Sequence, residues 1–297
     1  MSMSMSFKID ATMISQFMRC KEEFRQRHVE KREPAIAPMH REFGSVIHRG
    51  IESFWLGQGY EKAMRAAIER ARQTNQTGWN VREIDRWDEL VESIPDMLAA
   101  YFEEVEWKPA LGIEREFPQS GEEKCLTLQN SPVIICGKLD RLMLEAGGLR
   151  DYEPKTASEI GGSWKKNFKS QWVRSWQFAL YDWAIRRLYP TDNILPPVVE
   201  CLIKPYKAKK ARVERIELPE IIAHRQRFEQ QLEMTCAEMV HYMTAFRDVK
   251  PWPMSDSACI GKYGPCDYLE LCESGENART KKKFVQIERY HLEVMNA

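Results

Sequence analysis

The hydrophobic and polar positions of the chain change period several times, and each change predicts a change of element. Residues 12 to 31 place Ile14, Phe17, Met18, Phe24 and His28 at helical spacing. A second helix is predicted over 41 to 56, and further helices over 60 to 107, punctuated by Gly78 and Pro95. From 111 the pattern turns to alternation. Strands are predicted at 111 to 117, 124 to 129, 132 to 144 and 149 to 155. "SQWVRSWQFALYDWAIRRLYP" then reads as one helix stopped by Pro190, followed by strands in "PVVECLIKPY" and "ARVERIEL" and a long helix over about 218 to 247. Helices, a meander, a helix, strands and a helix make a mixed α/β fold: a central mixed sheet flanked by helices.

Composition narrows this picture only a little. With 43% hydrophobic and 30% charged residues over 297, the chain is expected to be an ordinary globular protein. Lys plus Arg and Asp plus Glu both count 44, which argues against a generic polyanion binder but says little about local patches. No apolar run reaches the roughly 20 residues of a membrane helix, and the start lacks a secretion signal, so a cytoplasmic protein with no membrane partner is expected. Four of the eight cysteines (Cys125, Cys136, Cys201 and Cys236) lie scattered among apolar neighbours and read as core residues. Cys259, Cys266 and Cys272 instead crowd into fourteen residues, with Cys20 far away.

The chemistry concentrates in "GGLRDYEPKTA". In a strand, Asp151, Glu153 and Lys155 share one face. "EAGG" links this strand to the preceding one by turn chemistry. A two-residue loop at Ala146-Gly147 sets Asp140 opposite Glu153, and a loop at Gly147-Gly148 sets it opposite Lys155. Either register puts Asp140 on the same face as Asp151, Glu153 and Lys155, which a three-residue loop would break, and directly opposed side chains have Cβ atoms about 5 Å apart. Such carboxylates repel unless a proton or a divalent cation lies between them, and hard oxygen ligands suit Mg²⁺ or Mn²⁺. The alternative is a surface ladder of cross-strand ion pairs.

Four segments in order settle which reading the sequence favours. "GSVIHRGIE" carries Gly44 and His48, "GKLDRL" carries Asp140, "YEPKTA" carries Glu153 and Lys155, and "QFALY" carries Gln177 and Tyr181. Together they resemble the RecB-like branch of the PD-(D/E)XK nuclease superfamily over about residues 12 to 275. The resemblance implies a restriction-endonuclease-like core and a metal held by His48, Asp140, Glu153 and the Pro154 carbonyl. It also implies Lys155 as the catalytic lysine, with Gln177 and Tyr181 directed at the site. Members often read Asp-Tyr-Lys at the third motif. Here two residues separate Asp151-Tyr152 from Lys155, so Glu153 takes the ligand position and Asp151 has no assigned role.

"CIGKYGPCDYLELC", with Cys20, resembles the iron–sulfur subset of these nucleases, in which four thiolates hold a [4Fe–4S] cluster. The first gap, six residues where two are usual, departs from the family pattern, and Tyr263 stands where a cysteine is expected. A structural Zn²⁺ is the alternative with the same ligands. Either would join the N- and C-terminal segments.

Residues 1 to 297 are therefore expected to form a single nuclease domain, with a helical insertion at about 57 to 108 and a cysteine-rich segment at about 250 to 275 paired with Cys20. The expected activity is divalent-metal-dependent hydrolysis of DNA, as an exonuclease on single strands or ends. "SWKKNFKSQWVRSW" offers Lys165, Lys166, Lys169 and Arg174 among Trp164, Trp172 and Trp176 as a strand-tracking surface. "KPYKAKKAR" and Lys281 to Lys283 are further basic runs. Helicase, CRISPR-adaptation or recombination proteins are the partners the family implies. The rival function is a catalytically silent DNA-binding or scaffold subunit.

Overall fold

The computed structural model describes residues 6 to 129, 131 to 157, 164 to 204, 210 to 261 and 264 to 287. Its centre is a five-stranded sheet: β1 (Gly112–Phe117), β2 (Gly137–Glu145), β3 (Gly148–Ala157), β4 (Val198–Ile203) and β5 (Arg212–Glu217). The strands lie side by side in chain order. All neighbours are antiparallel except β3 and β4, which run parallel. A parallel neighbour needs a crossover, and helices supply it between β3 and β4.

Helices cover both faces. α1 (Ala11–Arg19) starts at Asp10, whose side chain accepts the Met13 N–H. α2 (Met39–Ser53), α3 (Tyr60–Arg72), α4 (Val81–Glu92) and α5 (Ile94–Glu104) pack into one apolar cluster around Phe43, Trp87 and Leu98. α6 (Trp164–Val173) and α7 (Trp176–Leu188) form the crossover, and α8 (Arg225–Ala245) lies against α7. α1, α7 and α8 share the second cluster, built on Phe17, Leu180, Trp183 and Leu232.

Several predicted elements are broken where a local residue dictates it. The helix expected over 12 to 31 stops at Cys20, which is extended (φ −159°, ψ 118°), and resumes as Lys21–Phe24 and a π-helical turn at Arg25–Val29. The strand expected at 124 to 129 is instead a helical turn, Glu123–Leu126, followed by a single bridge from Thr127 to Ile134. The strand expected at 132 to 144 divides in two. Val133–Ile135 leaves the main sheet to pair in parallel with Phe7–Ile9, and only Gly137 onward joins β1 and β3. The helix of 170 to 190 is two helices parted at Ser175, whose side chain caps α7. Pro95 does not interrupt a helix but occupies the first turn of α5, where a missing N–H costs nothing.

N- and C-terminal segments meet on one side of the molecule. Arg32–Pro34 pairs antiparallel with Phe284–Gln286, and Tyr268 donates its hydroxyl to the Arg32 carbonyl at 2.6 Å. The buried Glu22 carboxylate accepts the Trp252 N–H at 2.8 Å. No helix among the described residues is long and apolar enough to cross a membrane.

Candidate active site

The turn chemistry of "EAGG" fixes the geometry here. Glu145 pairs with Gly148 across a two-residue loop at Ala146-Gly147, and the register continues to Arg141 opposite Tyr152. Gly148, at φ +141°, stands where a Cβ would fall 2.1 Å from the Asn193 carbonyl oxygen, so only glycine fits. The pairing of β2 with β3 ends at Arg141 and Tyr152, and the next positions are Asp140 and Glu153. Pro154 follows, buried in a strand flanked on both sides by neighbours rather than at a sheet edge. Its missing N–H falls past the last β2 pair, where a lost donor matters least.

His48 projects from α2 into this gap. Its Nδ1 lies 3.2 Å from Asp140 Oδ2. Glu153 is 1% exposed, and its Oε1 accepts from the Lys155 ammonium and from Gln177 Nε2, the latter at 2.6 Å. Lys155 also sits over the Trp172 ring, 5.2 Å from its centroid. Tyr181 is packed edge-on against Phe117 and is 8% exposed, close enough to Gln177, Glu153 and Asp140 to feel their charge and hydrogen bonding. Of the residues singled out in the sequence, His48, Asp140, Glu153, Lys155, Gln177 and Tyr181 are thus brought together.

One residue was not foreseen. Ile113 pairs with Arg141 and Arg115 with Leu139, so Glu114 faces Asp140 across β1 and β2. Ligand atoms of His48, Glu114 and Asp140 all lie within 4.8 Å of one another. Glu114 adopts φ +48°, a left-handed backbone rare for a non-glycine residue, and Lys138 pairs with its carboxylate. The available signal was that a strand reading "GIEREF" would bring an acid beside "GKLD" in an antiparallel pair.

The electrostatics are those of an acidic site short of positive charge. Burial pushes Glu153 up to about 7; Lys155 opposes that shift and Asp140 adds to it. Burial likewise drives Asp151 well above the carboxylate range, helped by Glu153 and Asp140. Burial disfavours His48 protonation, but Asp140 more than offsets it, for a net upward shift. Asp140 is moved the other way: burial would raise it, and His48 and Lys155 bring it below its ordinary value. Within the site, among the described residues, both oxygens of Asp151 and Glu153 Oε2 are buried without a hydrogen bond, and Asp140 Oδ2 has only the contact with His48. Orphaned acceptors of that kind are costly in a folded protein. A hard divalent cation satisfies several at once, so the donor set fits one.

A family model described as the PD-(D/E)XK nuclease superfamily matches residues 9 to 273. The chain belongs to the PD-(D/E)XK nuclease superfamily. No curated protein gives a match. Among solved structures, a crystal structure from Eubacterium rectale of a candidate exonuclease is similar, at 15% identity and TM-score 0.47 over 91% of this chain and 88% of that one. As a PD-(D/E)XK protein this chain is a nuclease, with DNA as the substrate and divalent metal as the cofactor of its family.

Two of the three tryptophans expected to stack on bases are otherwise engaged in this nuclease. Trp172 packs between Phe168 and Phe178, Trp176 packs on Phe228, and Lys169 is paired with Glu220 at 2.8 Å. Lys281 and Lys283 are paired with Glu276 and Glu270. Residues 205 to 209 of "KPYKAKKAR" lie outside the described residues.

The four cysteines of the predicted clamp also converge. Ile260–Gly261 and Gly264–Pro265 form a hairpin, and the Cys266 N–H donates to the Cys259 carbonyl at 2.8 Å. That hairpin absorbs the six-residue gap; its tip, with Tyr263, lies outside the described residues. Burial raises Cys272 to about 12, and the charges of Glu22, Cys266, Cys20 and Cys259 add to it.

Proposed function

We propose that this protein is a divalent-metal-dependent deoxyribonuclease acting as an exonuclease on single-stranded DNA or DNA ends. The observation that carries the reading is the group of buried carboxylate oxygens without a hydrogen bond on Asp151 and Glu153, beside Asp140, which pairs with His48, and flanked by Lys155. His48, Asp140 and Glu153 would hold the cation, with the Pro154 carbonyl as a further oxygen and Glu114 close enough to join His48 and Asp140. A cation bound there supplies Lewis-acid polarisation of the phosphate and a lowered pKa for water. Lys155 then has two tasks. It neutralises Glu153, and it offers an N–H toward charge developing on the phosphate. Gln177 fixes the Glu153 carboxylate through its amide, and Tyr181 closes the apolar side. The whole chain is read as one nuclease domain, with the helices of 57 to 108 as an insertion packed on α2.

The same reading assigns Cys20, Cys259, Cys266 and Cys272 to a [4Fe–4S] cluster that joins the N- and C-terminal segments. Tetrahedral zinc, at about 2.3 Å from sulfur, draws its thiolates to about 3.8 Å of one another. The same four thiolates would suit such a zinc ion as the alternative. Protein purified anaerobically should be brown, with iron and visible absorption lost on substituting Cys266 by Ser. A colourless, zinc-loaded sample would refute the assignment.

End-labelled oligonucleotides test the activity. With Mn²⁺ or Mg²⁺, cleavage should release short products progressively from one labelled end of single-stranded or frayed DNA, and EDTA should abolish it. Internal cuts of a circular single strand at the same rate would overturn the exonuclease reading.

A further inference from the structure

Between α1 and the start of α7 the structure carries a cleft of about 350 Å³. Thr12, Ser15, Gln16 and Arg19 line it from α1, and Ser175 and Gln177 from the α7 side. The four α1 residues stand at i, i+3, i+4 and i+7, a spacing that keeps them on one face of the helix. Gln177 links the cleft to the metal-binding group. Its Nε2 donates to Glu153 Oε1 at 2.6 Å, and the same residue forms part of the cleft wall. The cleft therefore adjoins the reaction centre without belonging to the ligand set.

Its chemistry is the reverse of that of the neighbouring acids. Among the described residues no carboxylate lines it, in a chain with 44 Asp and Glu residues. Gln16 is 6% exposed, and its Oε1 lies 2.5 Å from His28 Nε2. That contact fixes the amide and leaves Nε2 without a hydrogen-bond partner among the described residues. Nε2 is not sealed from solvent, so it opens on the cleft that Gln16 lines. An amide so nearly buried is costly to leave unpaired, and a ligand in the cleft supplies the acceptor. Around it stand further donors. Arg19 gives Nε and Nη2 to Glu23 and has no partner for Nη1 among the described residues. The Ser175 hydroxyl accepts the Gln177 N–H at 3.2 Å and keeps its own proton to donate. Thr12 adds an exposed hydroxyl. Amide, hydroxyl and guanidinium donors, with the positive end of α7 behind them, are the groups that hold phosphate oxygens.

We propose that the α1–α7 cleft receives one nucleotide of an unpaired DNA strand, next to the scissile phosphate, with its own phosphate on Thr12, Gln16 and Arg19. The site rests on the nuclease reading and narrows its substrate class to single strands and frayed ends. A volume of about 350 Å³ is at the small end of ligand clefts. It admits one nucleotide, not a base pair with a backbone on either side of its grooves.

Binding should be measured by fluorescence anisotropy with Mn²⁺ present, in a Lys155→Ala background that prevents cleavage, on a labelled oligothymidylate and on a blunt duplex of equal length. Ser15→Trp and Thr12→Trp each fill the cleft from an exposed position of α1, and either one that keeps the parent melting temperature serves. Both should bind the single strand about ten-fold or more weakly, the worth of one hydrogen bond to a charged group, with duplex binding unchanged. Ser15→Ala leaves the cleft open, and the Ser15 hydroxyl already donates to the Ala11 carbonyl at 2.8 Å, so this variant should stay within about two-fold. Tryptophan variants that bind the single strand as tightly as their parent, while wild type still cleaves it, overturn the cleft and leave the nuclease reading intact. Equal losses on strand and duplex overturn the assignment to an unpaired strand. No binding by the parent together with no cleavage by wild type overturns both readings.

Discussion

At the scale of single residues, Glu153 shows what the fold has to tolerate. One of its oxygens serves Lys155 and Gln177, the other has no partner, and burial holds the carboxyl near pH 7. Asp151 and His48 are also shifted upward. Each therefore keeps its proton in the folded chain over a range where the unfolded chain has released it. Stability then falls as pH rises, over the window from about 4.5 to about 7 for Glu153. Asp140, shifted downward, acts only below its ordinary range and does not oppose this. The melting temperature of metal-stripped protein should drop between pH 5 and 7.5, and Mn²⁺ should restore most of the loss at the upper end. A melting temperature independent of pH, or indifferent to Mn²⁺, would contradict the account of the site.

At the scale of elements, the site depends on where β2 begins and what holds its back. A Cβ on Gly137 would come 2.7 Å from the Phe117 ring and 3.1 Å from that of Tyr181. Gly137→Ala should therefore destabilise by about 1–3 kcal/mol in urea unfolding, and should reduce cleavage by displacing Tyr181. On the opposite face Arg141, next to Asp140, lies between the Trp55 and Tyr152 rings and pairs with the fully buried Glu200 at 2.9 Å. The Tyr101 hydroxyl accepts from Trp55 and Arg141 and donates to Glu200, at 2.9, 2.6 and 2.6 Å. Tyr101→Phe strands three buried partners, two of them charged, so a loss of roughly 2–4 kcal/mol is expected by chemical denaturation. A loss below about 1 kcal/mol would mean that this network does not anchor β2.

At the scale of the molecule, what was legible in the sequence followed from local constraints. "EAGG" narrowed the β2–β3 pairing to two registers, of which the structure has the Ala146-Gly147 loop, and His48 was singled out through its resemblance to a family motif with Gly44. Glu114 was missed because its role depends on strand pairing between segments more than twenty residues apart, and on a backbone angle that alternation does not reveal. The break at Cys20 was hidden because the apolar spacing of α1 carries on to Phe24 and His28, and the Glu22 N–H meets the Pro253 carbonyl from a distant segment. Trp172 and Trp176 were read as part of a DNA surface because sequence spacing cannot tell a stacking face from a packed one.

The central claim is that metal-dependent hydrolysis of DNA takes place at this carboxylate group with Lys155. Its most direct test is the single-turnover cleavage rate of end-labelled single-stranded DNA by wild type and Lys155→Ala, both folded and both saturated with Mn²⁺. The account predicts a 10²- to 10⁴-fold lower rate for the variant, in the range of lost general acid–base or charge-stabilising groups, with DNA binding retained. Equal rates for the two proteins, or no cleavage by wild type with its metal bound, would contradict it.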